Sequence, residues 1–101
     1  MISYELAQRI TPTECLVLSC DPGTVNTKML LAGWGSCGME IANANDEFTL
    51  ATNPFLETEH GKYYVNCRES SCSRDVYNNE KRKSLWNELE RICDVNWNEY
   101  V

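Results

Sequence analysis

Nothing in this chain is apolar for long enough to cross a bilayer. A spanning helix needs about 20 consecutive apolar residues, and no run approaches that length. The amino terminus, Met-Ile-Ser-Tyr-Glu, has neither the basic start nor the apolar core of a secretory signal. Positive charge is scarce: nine Lys and Arg stand against fifteen Asp and Glu, for a net charge of −6. The basic residues are dispersed apart from Lys81-Arg82-Lys83, which leaves no electrostatic footprint for nucleic acid or an anionic membrane. Histidine occurs once, at His60. Cys67-x4-Cys72 has no second cysteine pair at ligand spacing, so no zinc site is expected. Repeats, low-complexity tracts and linkers are missing as well. These absences predict a soluble, cytoplasmic chain of 101 residues forming one domain, without a metal.

Cysteine, by contrast, is plentiful. Cys15, Cys20, Cys37, Cys67, Cys72 and Cys93 invite a disulfide framework. If Cys15 and Cys20 share a strand, their odd separation puts them on opposite faces, roughly 16 Å apart at ~3.3 Å per residue. A disulfide needs Cα atoms within about 7 Å. Free thiols in a reducing compartment are the expectation. The apolar fraction, 43%, is that of ordinary globular proteins and argues against disorder throughout.

The most informative stretch is Leu16-Val17-Leu18-Ser19-Cys20-Asp21-Pro22-Gly23-Thr24-Val25-Asn26-Thr27. Its short apolar start predicts a parallel strand, about residues 14–20, buried on both faces. Pro22 lacks an amide donor and ends the ladder, and Gly23 lets the backbone turn sharply. Residues 24–27 then lie at the carboxyl end of a strand, where open α/β sheets bind ligands.

Around that stretch, Ile2, Leu6 and Ile10 recur at helical spacing and Pro12 ends the pattern, predicting a helix over 2–10. A short helix over 27–32 is expected to stop at Gly33. Ile41, Ala44, Phe48 and Ala51 predict a helix over 40–52, ended by Asn53-Pro54. Lys62-Tyr63-Tyr64-Val65 reads as a short strand, and residues 66–78 as irregular. Asn78 or Asn79 caps a last helix carrying Leu85, Leu89 and Ile92 on one face, with Trp86 and Cys93 beside it.

Asp21-Pro22-Gly23-Thr24-Val25-Asn26-Thr27 resembles the Pro-Gly-x-x-x-Thr segment of the short-chain dehydrogenase/reductase family. Ser3-Tyr4-Glu5-Leu6-Ala7-Gln8-Arg9 is similar to the tail of that family's active-site helix. Gly61-Lys62-Tyr63-Tyr64-Val65 is similar to its last strand, and the Leu85-Trp86 helix to the carboxyl-terminal helix of retinol-dehydrogenase-like members. The likeness spans most of these residues but corresponds only to the last part of a family chain. It implies an α/β, partial Rossmann-like fold, with the last two parallel strands and flanking helices. It further implies the carboxyl-terminal part of an NAD(P)-dependent alcohol or carbonyl oxidoreductase. Pro22, Gly23, Val25 and Thr27 would hold the nicotinamide end of NAD or NADP. Met29, Leu30 and Trp34 would form the apolar wall of a substrate lid. Packed inward, the residues from Met29 to Trp34 would instead be ordinary core, and periodicity does not separate the two. A non-catalytic interaction module derived from the same fold is the alternative function, and a chain supplying the missing part of the sheet is the implied partner.

Two strings are decoys. Gly33-x-Gly35-x-x-Gly38 spells a dinucleotide fingerprint, with Glu57 and Glu59 near the acidic spacing. It does not directly follow a strand and open a helix, as that fingerprint requires; a flexible lid is the expected form. Tyr77-x-x-x-Lys81 spells the family's catalytic pair but follows the Pro-Gly segment it should precede. No catalytic residue is therefore assigned.

Overall fold

The computed structural model describes residues 1–54 and 58–99; Glu57, one of the two acidic residues of the first decoy, lies outside them. It is a mixed α/β structure whose contacts divide the chain into two compact units. One comprises residues 1–19, 59–62 and 71–101, the other residues 20–58 and 63–70.

The first unit is built on two helices, α1 (Ile2–Ala7) and α4 (Asn79–Cys93), which pack on each other. Asn78 caps α4: its side-chain oxygen accepts the Lys81 amide at 3.0 Å, satisfying one of the donors a helix start leaves free. Asp94 closes the helix in the left-handed conformation, φ 53°. Trp86 on α4 is buried and meets Trp97 edge-to-face, with ring centroids 5.5 Å apart. The Arg9 guanidinium lies 4.5 Å from the Trp86 ring. Tyr4 and Tyr77 make a second edge-to-face pair at 5.6 Å. Between these rings a buried ion cluster runs through Glu5, whose carboxylate takes Arg82 at 3.2 Å and Arg9 at 3.0 Å.

His60 joins three segments of this unit. Its Nδ1 accepts the Val17 amide at 3.1 Å, so the ring proton resides on Nε2. From there it is directed at the carbonyls of Ala7, at 2.8 Å, and Ile10, at 3.0 Å. The single histidine is thus a packing element.

The second unit carries a three-stranded sheet of order β1 (Ser19–Asp21), β2 (Tyr63–Val65) and β3 (Arg68–Ser70). β1 and β2 run parallel; β2 and β3 are antiparallel, with Tyr64 opposite Glu69. Tyr64, 2% exposed, and Leu50 are its buried apolar side chains. Its helices are α2 (Lys28–Trp34) and α3 (Asp46–Thr52), with a 3-10 turn at Ile41–Asn43.

Several expectations change. The strand expected from residue 14 begins only at Ser19. Glu14 instead closes a turn, its carboxylate accepting the amide and hydroxyl of Thr11 at 2.9 and 2.7 Å. Val17 then spends its amide on His60 and its carbonyl on Gly61. Nor is the run buried on both faces: Val17 is 8% exposed, Leu16 45%. The first helix ends at Ala7, three residues early, and α2 runs through Gly33 to Trp34, with Gly35 as its cap. The helix expected over 40–52 breaks at Ala44, whose ψ of 75° is not helical, and the Asn45 side chain bonds back to the Ala42 carbonyl. β3 and its hairpin were not expected. Asn66 and Cys67 both take positive φ, 51° and 57°, the pair of angles a two-residue type I′ connection requires.

Candidate functional site

The site starts where β1 stops. Asp21 turns its carboxylate onto the Gly23 amide at 2.8 Å, and Gly23 adopts φ +75°, which glycine takes without a Cβ penalty. The chain then makes a lone parallel bridge between Val25 and Met39. The Met39 amide donates to the Thr24 carbonyl at 2.8 Å, and the Asn26 amide to the Met39 carbonyl at 2.8 Å. Gly38 sits against this crossing. A Cβ there would lie 2.6 Å from the Thr24 carbonyl oxygen, so no side chain fits without moving backbone.

Asn26 locks the arrangement. It is 7% exposed, and its side-chain oxygen accepts the Gly38 amide at 2.8 Å. Its amide nitrogen donates to Ser36 at 3.2 Å and to Glu40 at 3.0 Å. The expected flexible lid over Gly33, Gly35 and Gly38 is not found as such: Gly33 lies within α2, Gly35 caps it, and the Gly38 amide is held by Asn26. Sequence reading passed over Asn26 because a buried asparagine leaves no periodic signal. An Asn26→Ala chain is expected to lose about 2–3 kcal/mol, since one donor stays buried without its acceptor. Urea unfolding followed by circular dichroism measures this; a loss below about 0.5 kcal/mol would mean that the loop does not depend on Asn26.

Thr27 caps α2. Its hydroxyl oxygen accepts the Leu30 amide at 3.3 Å, which leaves the hydroxyl proton free to donate outward. Its own amide donates to the Val25 carbonyl at 2.7 Å. α2 then presents Met29, Leu30 and Trp34. Met29 and Trp34 are 84% and 82% exposed.

A cavity of about 660 Å³ lies among these residues. The structure brings all seven sequence-predicted site residues to it: Pro22, Gly23, Val25 and Thr27 from the turn, Met29, Leu30 and Trp34 from α2. Thr24, Ala44 and Glu47 complete the lining. Thr24 belongs to the same motif; Ala44 and Glu47 come from the broken 40–52 segment, and no spacing rule connects them with the turn. Among the described residues the wall is apolar, with threonine hydroxyls and one carboxylate as its polar points.

Tyr77 and Lys81 are held by local bonds in the first unit. The Tyr77 hydroxyl accepts the Cys72 amide at 2.9 Å, and Lys81 pairs with Asp75. All six cysteines are free. Burial raises the Cys20 thiol above its ordinary value, and the carboxylates of Glu47, Asp46 and Asp21 raise it further. Cys67 is raised in the same way by burial and by Asp46, whose carbonyl it approaches at 3.8 Å. A raised thiol holds less thiolate at a given pH. In the native protein at pH 7.5, iodoacetamide is expected to modify Cys20 and Cys67 several-fold more slowly than the exposed Cys15, Cys37 and Cys93. The difference should narrow as pH rises. After denaturation all six should react, and peptide mass mapping reads both results.

Compared with protein-family models, with curated proteins and with solved structures, the chain returns no match.

Proposed function

We propose that the chain is the carboxyl-terminal part of an NAD(P)-dependent alcohol or carbonyl oxidoreductase of the short-chain dehydrogenase/reductase type. In this reading β1 and β2 are the last two parallel strands of a Rossmann-like sheet that further chain completes. One observation carries it: the residues of the Pro-Gly-x-x-x-Thr turn and of the helix after it line a single cavity at the carboxyl end of β1. That is where an open α/β sheet holds its ligand.

The residues fit a nicotinamide. A carboxamide needs a close donor and a close acceptor without steric conflict. The Thr27 hydroxyl is a free donor beside the Val25 backbone, and the lining between them is small. Met29, Leu30 and Trp34 give the apolar wall that a ring and an alcohol or carbonyl substrate require. When bound, the nicotinamide supplies the hydride chemistry. This chain's part is to grip the carboxamide, orient the ring and exclude water along α2. It carries no assigned acid or base, Tyr77 and Lys81 being engaged elsewhere.

Two results are expected. The isolated chain turns over no alcohol or aldehyde with NAD(P)(H), because the proton-transfer group and the phosphate-binding turn are not among its residues. Turnover that disappears on mutating Tyr77 or Lys81 would sink this assignment of parts. Nicotinamide alone, at millimolar concentration, should receive saturation transfer from the protein, and Thr27→Val should reduce that transfer several-fold. An unchanged signal in Thr27→Val would remove the carboxamide contact.

A second reading, a non-catalytic interaction module built on the same fold, is favoured by one observation. Met29, Trp34, Ile41 and Phe48 of the second unit are all more than half exposed, more apolar surface than a ligand wall needs.

A further inference from the structure

Among the described residues the cavity lining has one ionisable side chain, Glu47, and one aromatic ring, Trp34. A carboxylate and an indole bordering an otherwise apolar space form a pattern that suits a positively charged ring: a carboxylate supplies charge, an indole a negative π face. The surroundings reinforce the sign. Among the described residues between Cys20 and Pro54 the acidic ones are Asp21, Glu40, Asp46 and Glu47, and the basic one is Lys28 alone.

We propose that this cavity discriminates by charge, taking an aromatic cation of pyridinium type in preference to the neutral ring of the same shape, with Glu47 as the residue that sets the preference. The proposal rests on the functional reading above and deepens it: the oxidised nicotinamide is a cation and the reduced one is not, so the site would hold the oxidised form more tightly. Glu47 acts through charge alone. It is exposed on the first turn of α3, so solvent screens it and the preference is modest.

The Cys20 thiol in β1 is raised by burial first and then by the carboxylates of Glu47, Asp46 and Asp21, which places the same acidic group near the strand end as near the cavity.

The test compares two small probes with the same carboxamide, 1-methylnicotinamide (a cation) and nicotinamide (neutral). Both are titrated against the full chain by saturation-transfer NMR at low salt, and Trp34→Ala reports whether binding is in the cavity. The expected result is that the cation binds about three- to tenfold more tightly, the range of a solvent-exposed charge plus a cation–π contact. The difference should shrink in Glu47→Gln and again in wild type at about 0.5 M salt. The salt series needs no variant, so it reads the same quantity should Glu47→Gln fold poorly. Equal affinities, or tighter binding of the neutral ring, would overturn the charge preference and leave the functional reading standing. A preference that survives both Glu47→Gln and high salt would overturn the role of Glu47. If neither probe binds, or Trp34→Ala changes neither, the functional reading falls and this inference with it.

Discussion

An Arg82→Ala chain is expected to lose about 3–5 kcal/mol, a large share of the stability of a domain of this size. Arg82 is 7% exposed and Glu5 4%, so both charges stand out of water. Each of its three guanidinium nitrogens has a partner. Nε meets Glu5 at 3.2 Å, Nη1 donates to the Val76 carbonyl at 2.9 Å, and Nη2 donates to Asn79 at 3.2 Å. It also lies 5.0 Å from the Tyr4 ring. Truncation strands a buried carboxylate and a buried carbonyl together. Arg9 still holds the other oxygen of Glu5, at 3.1 Å through Nε, and that keeps the loss from being larger. A double variant, Glu5→Met with Arg82→Met, should recover part of the loss, because a buried pair replaced by apolar groups of similar volume is often close to neutral. Recovery stays partial, since Val76 and Asn79 remain without their donor. Urea unfolding read by circular dichroism and tryptophan fluorescence measures all of these. A single-variant loss under about 1 kcal/mol would show that water reaches the pair.

None of that cluster was legible in the sequence. Arg82 stood in a basic run, Lys81-Arg82-Lys83, that reads as a solvated helix start. Only the packing of α4 on α1 turns the middle residue inward while Lys81 meets Asp75 outside. What was legible is what local chemistry decides. Asn78 before an apolar helical pattern is a cap because a short polar side chain reaches the amide three residues on. Pro22-Gly23 ends a strand because proline removes the donor and glycine takes the turn. Illegible were features set by distant partners. The Leu16-Val17-Leu18 run has the composition of a buried strand, but its backbone bonds go to His60 and Gly61. β3 is Arg-Glu-Ser, which carries no strand signal, and a cysteine at φ 57° is an unusual turn residue. For the cavity, the motif gave the turn and α2, whereas Glu47 comes from a helix whose boundary depends on the break at Ala44.

In dilute buffer the isolated chain is expected to self-associate and to melt broadly at or below about 45 °C, the lower edge of the mesophile range. Its strands are three residues each, short for independent stability. Among the described residues no large side chain is less than 2% exposed, and the buried apolar set is Ala7, Val17, Leu50, Tyr64, Val76 and Trp86. That is a thin core for about 100 residues. The indole nitrogens of Trp86 and Trp97 are buried among the described residues without a partner, each at a cost of about 1–3 kcal/mol. Meanwhile β1 is an edge strand, and Met29, Trp34 and Phe48 are each more than two-thirds exposed. An open edge beside exposed apolar side chains is a template for pairing with another chain. Val17→Lys should therefore unfold the chain rather than merely solubilise it: Val17 is 8% exposed, and a lysine there buries a charge with no partner provided for it. Met29→Lys, at a side chain 84% exposed, should instead reduce association and leave the fold intact. Sedimentation velocity across a concentration series and thermal unfolding decide between these outcomes. A monodisperse monomer melting cooperatively above about 60 °C would sink the expectation, and so would a Val17→Lys chain as well folded as the parent.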